Sequence, residues 1–146
     1  MNPELVGRVF PPTAPYLVGR EKVREFARAV FADDPQHTDP AAAQALGYPD
    51  VVAPLTFAMV IQDLTLQQLL AEPDSGIALE RTIHAEQRFR YSRPIVAGDE
   101  LTAQLSISGV RAMGTGAMVT SEAEITDAAG AHVVTATSVL LVGGDE

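Results

Sequence analysis

Residues 54–70 read PLTFAMVIQDLTLQQLL. Leu55, Phe57, Met59, Val60, Ile61, Leu64, Leu66, Leu69 and Leu70 recur too densely for a one-sided stripe. Over the first half they cover almost the whole circumference of a helix, which marks a helix wrapped by other structure rather than one lying on a surface. Pro54 suits the first helical turn, where no N–H is required. At ~1.5 Å per residue the segment makes a rod of roughly 24 Å. The fold is decided by what wraps it.

The wrapping lies downstream, where the apolar period changes from 3.6 to 2. Ile83, Ala85, Phe89 and Tyr91 alternate with His84, Glu86, Arg88 and Arg90. Leu101, Ala103, Leu105 and Ile107 alternate with Thr102, Gln104, Ser106 and Ser108, and Ala117, Val119, Ala123 and Ile125 with Thr120, Glu122, Glu124 and Thr126. A fourth run, HVVTATSVLLV over 132–142, is apolar on both faces, as a central strand is. Ala97-Gly98-Asp99, Met113 to Gly116 and Asp127 to Gly130 supply turn signals between the runs. These residues predict long antiparallel strands in a four- or five-stranded meander that curls around the helix and buries its concave face against it. That is an α+β architecture of the hot-dog kind. Its open sheet edge is most simply hidden by pairing into a dimer.

Upstream, Pro11, Pro12 and Pro15 imply extended chain, and residues 16–18 suit a short strand. Residues 21–32, EKVREFARAVFA, predict a helix with Val23, Phe26, Ala27, Val30 and Phe31 on one face. Asp34 before Pro35, and Thr38 or Asp39 before Pro40, have the form of N-cap and first-turn pairs. The second opens a short helix to Leu46 that stops at Gly47. No repeat or linker divides the chain, so residues 1–146 are expected to form one domain.

Composition narrows the function classes. At 146 residues and 47% hydrophobic, the chain is long enough for a core of its own. It has no cysteine, which excludes disulfides, thiolate metal sites and a cysteine nucleophile. His37, His84 and His132 lie far apart, so no metal is expected. A net charge of −9 argues against nucleic acid as a partner. The N-terminus lacks the pattern of a signal peptide, and the longest apolar run, 57–61, is too short to span a bilayer. A soluble cytoplasmic protein with no membrane partner is expected.

The chemistry-bearing stretch is residues 33–39, DDPQHTD, where three carboxylates surround His37. Two readings compete. Asp34 and Asp39 suffice as helix caps with His37 a surface bystander, or Asp33 and His37 form an acid–base pair. The helix start favours the second. Ala53, ahead of Pro54, has no side-chain oxygen to cap the helix. Unless Thr56 caps locally, the Leu55 and Thr56 amides and the positive dipole end are left for a ligand carbonyl. A proton-transfer group near a polarised carbonyl is the equipment of acid–base catalysis.

Two stretches, DDPQHTDPAAAQALGYPDVVAPLTF at 33–57 and EQRFRYSRPIVAGDEL at 86–101, resemble the MaoC-like, FAS1-type dehydratase domains. The resemblance runs from Val6 to Leu141 and is nearest to the A and C type subunits of actinobacterial (3R)-hydroxyacyl-ACP dehydratase. It implies a hot-dog dimer that adds or removes water across C2–C3 of an acyl-ACP or acyl-CoA thioester without a cofactor. Catalytic members carry G-D-x-N-P-x-H, and a glycine amide at the helix start holds the thioester carbonyl. Here His37 and Pro35 match, but Ala32 stands at the aspartate, Asp34 at the asparagine, and Pro54, which has no N–H, at the glycine. The resemblance therefore implies an accessory or substrate-binding subunit that pairs with a catalytic MaoC-like partner. The alternatives are a self-sufficient homodimeric hydratase using His37 and Asp33, and a hot-dog thioesterase, for which the helix offers only Asp63.

Three further features admit two readings each. His84, Glu86, Arg88 and Arg90, with Arg93 beyond, form either a solvated strand face or an anion patch for a phosphopantetheine phosphate or carrier protein. Gln87, placed among apolar neighbours, needs buried partners and is expected to tie down a loop backbone. Tyr48 is read as a packing residue rather than a proton donor.

Overall fold

The computed structural model describes residues 2–144. The decisive helix is present as a 3₁₀ turn, Leu55–Phe57, running into α3, Ala58–Ala71. Five strands wrap it: β1 (Tyr16–Leu17), β2 (Thr82–Tyr91), β3 (Glu100–Met113), β4 (Gly116–Thr126) and β5 (His132–Val142). All pairings are antiparallel, in the order β1-β3-β4-β5-β2. This is the hot-dog fold. Two smaller helices, α1 (Arg20–Ala29) and α2 (Pro40–Ala45), precede α3.

The concave face of the sheet and α3 share two apolar clusters. Phe57, Ala58 and Ile61 meet Ala103, Ile125 and Val134 at one end of the helix. Leu69 meets Leu105, Val119 and Leu140 at the other. Phe57 is fully buried and stacks edge-on against Phe26 of α1 at 5.3 Å. Gly116 opens β4 where the backbone of the neighbouring strand is very close: a Cβ there would lie 2.1 Å from the Val142 carbonyl oxygen.

The strand order departs from a simple meander. β3, β4 and β5 do follow as hairpins, but β2 lies beyond β5 and not beside β3. The connecting segment after Tyr91 contains Pro94 and is too long for a tight hairpin. It crosses the end of the sheet and pairs with the chain ahead of α3, through Ala53 N–H to Ile95 O (2.8 Å) and Ala97 N–H to Val51 O (3.0 Å). This leaves β5 between β4 and β2, which is why its sequence is apolar on both faces. The edge of β3 is covered by the N-terminal chain, through Gly7, Phe10 and Thr13 amides. Among the described residues, no strand pairs with the outer edge of β2.

Two further expectations change. The register of β2 slips between His84 and Glu86, a bulge at Ala85. His84 is therefore aligned with Leu140 on the concave face, apart from Glu86, Arg88 and Arg90, while Ile83 turns outward and is 66% exposed. A strict alternation cannot reveal such a phase change. In α1 the helix ends at Ala29, and Phe31 adopts a left-handed backbone with φ of 58°. Its ring leaves the apolar face of Val23 and Ala27 and is 85% exposed.

Candidate functional site

His37 closes a 3₁₀ turn, Pro35–His37, between α1 and α2. Its Nδ1 lies 2.6 Å from the Val52 carbonyl oxygen. A carbonyl can only accept, so Nδ1 carries the proton, and in the neutral ring the lone pair is on Nε2. Nε2 makes no hydrogen bond among the described residues. The half-buried ring is thus held with its basic nitrogen unengaged.

The surrounding backbone is fastened from several directions. Val52 N–H donates to Gln36 O (2.9 Å), returning the link from His37 to the same residue. Arg24 of α1 donates to Thr38 O (2.8 Å). Arg20 grips Asp50 with two bonds of 3.0 and 2.7 Å, and Asp50 also accepts from Val51 N–H. The Arg20 guanidinium, followed by the Val51 amide, holds the Asp50 carboxyl below the usual carboxylate range against an opposing effect of burial. Tyr48 packs with Ala43, Val52 and Val96, the packing role expected of it.

The helix start lies three residues beyond Val52. Neither Pro54, Thr56 nor Phe57 supplies a side-chain cap, so the local Thr56 cap is not formed. The Leu55 and Thr56 amides make no hydrogen bond among the described residues, and both residues are exposed. The Leu55 carbonyl, in contrast, accepts from the Tyr91 hydroxyl of β2. Burial pushes the Tyr91 phenol up to about 12, partly offset by a backbone hydrogen bond at Ala58, so it stays a donor at any physiological pH. Sequence reading assigned no site role to Arg20, Asp50 or Val52, and none to Tyr91. Its only signal was an aromatic at the end of a strand.

The carboxylates do not converge on His37. Asp39 caps α2 through Ala41 N–H at 2.9 Å. Asp34 occupies a cap position but its side chain makes no cap bond. Asp33 is exposed and bonds to nothing among the described residues. Asp63 sits on the exposed side of α3, away from the helix start. No group of histidine and carboxylate side chains able to hold a metal ion occurs among the described residues.

The arginines separate as well. Arg88 pairs with Glu86 at 2.9 Å and Arg90 reaches Thr135 at 3.4 Å, both on the convex face. Arg93 does not join them. Its guanidinium is held by Asp99 (2.8 Å) and Asp127 (3.3 Å), tying the crossing segment to the β4–β5 turn. Gln87 bonds to the side chain of Gln62 in α3 (2.8 Å), not to a loop backbone as expected.

A long helix wrapped by a curled antiparallel sheet, with His37 tied to the chain three residues ahead of an uncapped helix start, is the arrangement expected of the MaoC-like dehydratases. The chain belongs to the family described as FAS1-like, dehydratase domain region, whose model matches residues 4–136. A UPF0336 protein of Clavibacter michiganensis subsp. michiganensis is 62% identical over 146 residues, covering 100% of this chain and 98% of that protein. Among solved structures, the C-terminally truncated HadBC (3R-hydroxyacyl-ACP dehydratase) complex from Mycobacterium tuberculosis superposes with a TM-score of 0.86. Identity to that chain is 33%, over 94% of this chain and 96% of that one. A MaoC-like dehydratase gives 0.84 at 38% identity, covering 95% of this chain but 42% of the longer one. No helix among the described residues is long and apolar enough to cross a membrane.

Proposed function

We propose that this chain is a subunit of an acyl-thioester dehydratase or enoyl hydratase, acting on acyl-ACP or acyl-CoA and needing a catalytic MaoC-like partner chain. The observation that carries the reading is the half-equipped site. His37 presents Nε2 as a base, while its would-be partner Asp33 points to solvent and Pro54 has no N–H for a thioester carbonyl. Hydration needs a base on water, an acid at C2 and a carbonyl donor. The likeness to a chain of the two-component HadBC complex supports a partner that completes the set. The outer edge of β2 gives such a partner a strand to pair with. In this reading Leu55 and Thr56 line the thioester head, and Arg88 and Arg90 receive an anionic carrier or phosphate.

Each missing contribution is worth a factor of ~10²–10⁴. The purified chain alone is therefore expected to hydrate a crotonyl thioester at least roughly 10⁴-fold more slowly than a complete enzyme. Adding a catalytic subunit with an intact Asp/His pair restores the rate. Ordinary turnover by the pure chain, abolished by His37→Ala and by Asp33→Ala, would instead make residues 33–37 a complete site. Charge reversal at Arg88 and Arg90 is expected to weaken affinity for a carrier-bound thioester more than for a short free one. An equal effect on both removes the arginines from the site.

A further inference from the structure

The two apolar clusters along α3 do not fuse. A polar seam separates them, running from the rim of β2 to the middle of the sheet, and its hydrogen bonds have a fixed direction. The Gln87 amide nitrogen donates to the Arg88 carbonyl (3.3 Å), which sets which end of that side chain is nitrogen. The same nitrogen lies 2.8 Å from the Gln62 oxygen, so Gln62 must present its own amide nitrogen elsewhere. His84 Nε2 faces two acceptors, Glu86 O and the Gln87 oxygen, and is therefore a donor. The chain of donors ends at the Gln62 –NH₂, which bonds to nothing among the described residues although Gln62 is only 6% exposed.

That amide lines a cavity of about 30 Å³ between α3 and the sheet. Across it, Ser121 and Ser138 share a hydrogen bond of 2.9 Å on the concave face. Two hydroxyls sharing one bond leave one O–H hydrogen over. Leu66 and Leu140 close the cavity around these groups, and Asp63 stands in its lining. The interior thus leaves two donor groups unpaired, the Gln62 –NH₂ and one serine O–H, in a space the size of one small oxygen-bearing group. The carboxylate beside it repels an anion, and covering unpaired amide hydrogens with methylene groups is unfavourable.

We propose that Gln62, Ser121 and Ser138 form a subsite for one uncharged acceptor oxygen carried on the chain of the bound thioester. This rests on the thioester reading above. From Leu55 to Gln62 the helix rises roughly 10 Å. The oxygen sits that far from the thioester carbonyl, either as a substituent of the acyl chain or as an amide carbonyl of the pantetheine arm.

The test measures binding of dodecanoyl-pantetheine and of a series with a keto group walked along the acyl chain. A dodecanoyl thioester of a plain alkyl thiol, lacking amide oxygens, completes the set. Each is titrated against the wild-type chain, Gln62→Leu and Ser138→Ala, the last retained in case Gln62→Leu does not fold. An acyl-side oxygen gives a maximum in the keto series of roughly tenfold, one hydrogen bond, which both variants erase. A pantetheine-side oxygen gives a flat keto series but a similar preference for pantetheine over the alkyl thiol, again erased. Thioesters that bind equally well to wild type and variants, whatever oxygen they carry, overturn the subsite and leave the thioester reading intact. Failure of every thioester to bind a folded chain overturns both.

Discussion

Phe57→Ala tests the link between the wrapped helix and the site it carries. Phe57 is fully buried at the junction of the 3₁₀ turn and α3, and its ring meets Phe26 at 5.3 Å with planes at 79°. Removing a buried phenylalanine side chain costs ~3–5 kcal/mol through lost transfer energy and the cavity left behind. The edge-on pair contributes about 0.5–1.5 kcal/mol of that kind of interaction, and α1 and α3 are both regular elements with little room to collapse. The upper half of the range, about 4 kcal/mol, is therefore expected. For a chain of this size that lowers the melting temperature by roughly 8–16 °C. Equilibrium urea unfolding reads the change as a lower midpoint with an unchanged slope. A loss below about 1 kcal/mol would mean that the helix start is not enclosed, and the account of how the sheet holds the site would fail with it.

Other outcomes follow from single contacts. Because Asp50 titrates lower in the folded chain than in the unfolded one, its contribution is present above the ordinary carboxylate value of 3.8 and is lost as pH falls below it. Arg20→Met is expected to remove that part of the acid dependence, and an unchanged pH profile of stability would discount the pair. Gly116→Ala is expected to destabilise by at least roughly 1–3 kcal/mol, since the added methyl meets the Val142 carbonyl and cannot be relieved by rotating a side chain. Wild-type stability in that variant would mean that the β4–β5 ladder ends earlier than described.

The sequence disclosed those features that depend on local periodicity. α3 and the three hairpin strands β3, β4 and β5 were all visible as changes of period, and β5 as a central strand from its two apolar faces. Strand order was not, because whether β2 lies beside β3 or beyond β5 is settled by the contact of Ile95 and Ala97 with Val51 and Ala53, far away in sequence. The bulge at Ala85 adds one residue without a sequence signal, and so His84 was assigned to the wrong face. For the site, residue type pointed to His37 and to the uncapped start at Ala53. The feature that orients the His37 ring, a hydrogen bond from Nδ1 to the Val52 carbonyl, involves a backbone group that every residue possesses. Tyr91 was hidden for the same reason, since its hydroxyl also answers to a carbonyl.

The outer edge of β2, with no strand paired to it among the described residues, also bears on how much of this chain a cell can make. An unpaired strand is a template for whatever extended segment reaches it first. On the two-subunit reading proposed above, chains synthesised in excess of their counterpart would carry that template openly, with Ile83 exposed on the same strand. On that reading, balanced synthesis of the two subunits serves solubility as much as catalysis. A surplus would be drawn into self-association or cleared, and the strand that recruits the proper counterpart would be the same one that makes the orphan short-lived.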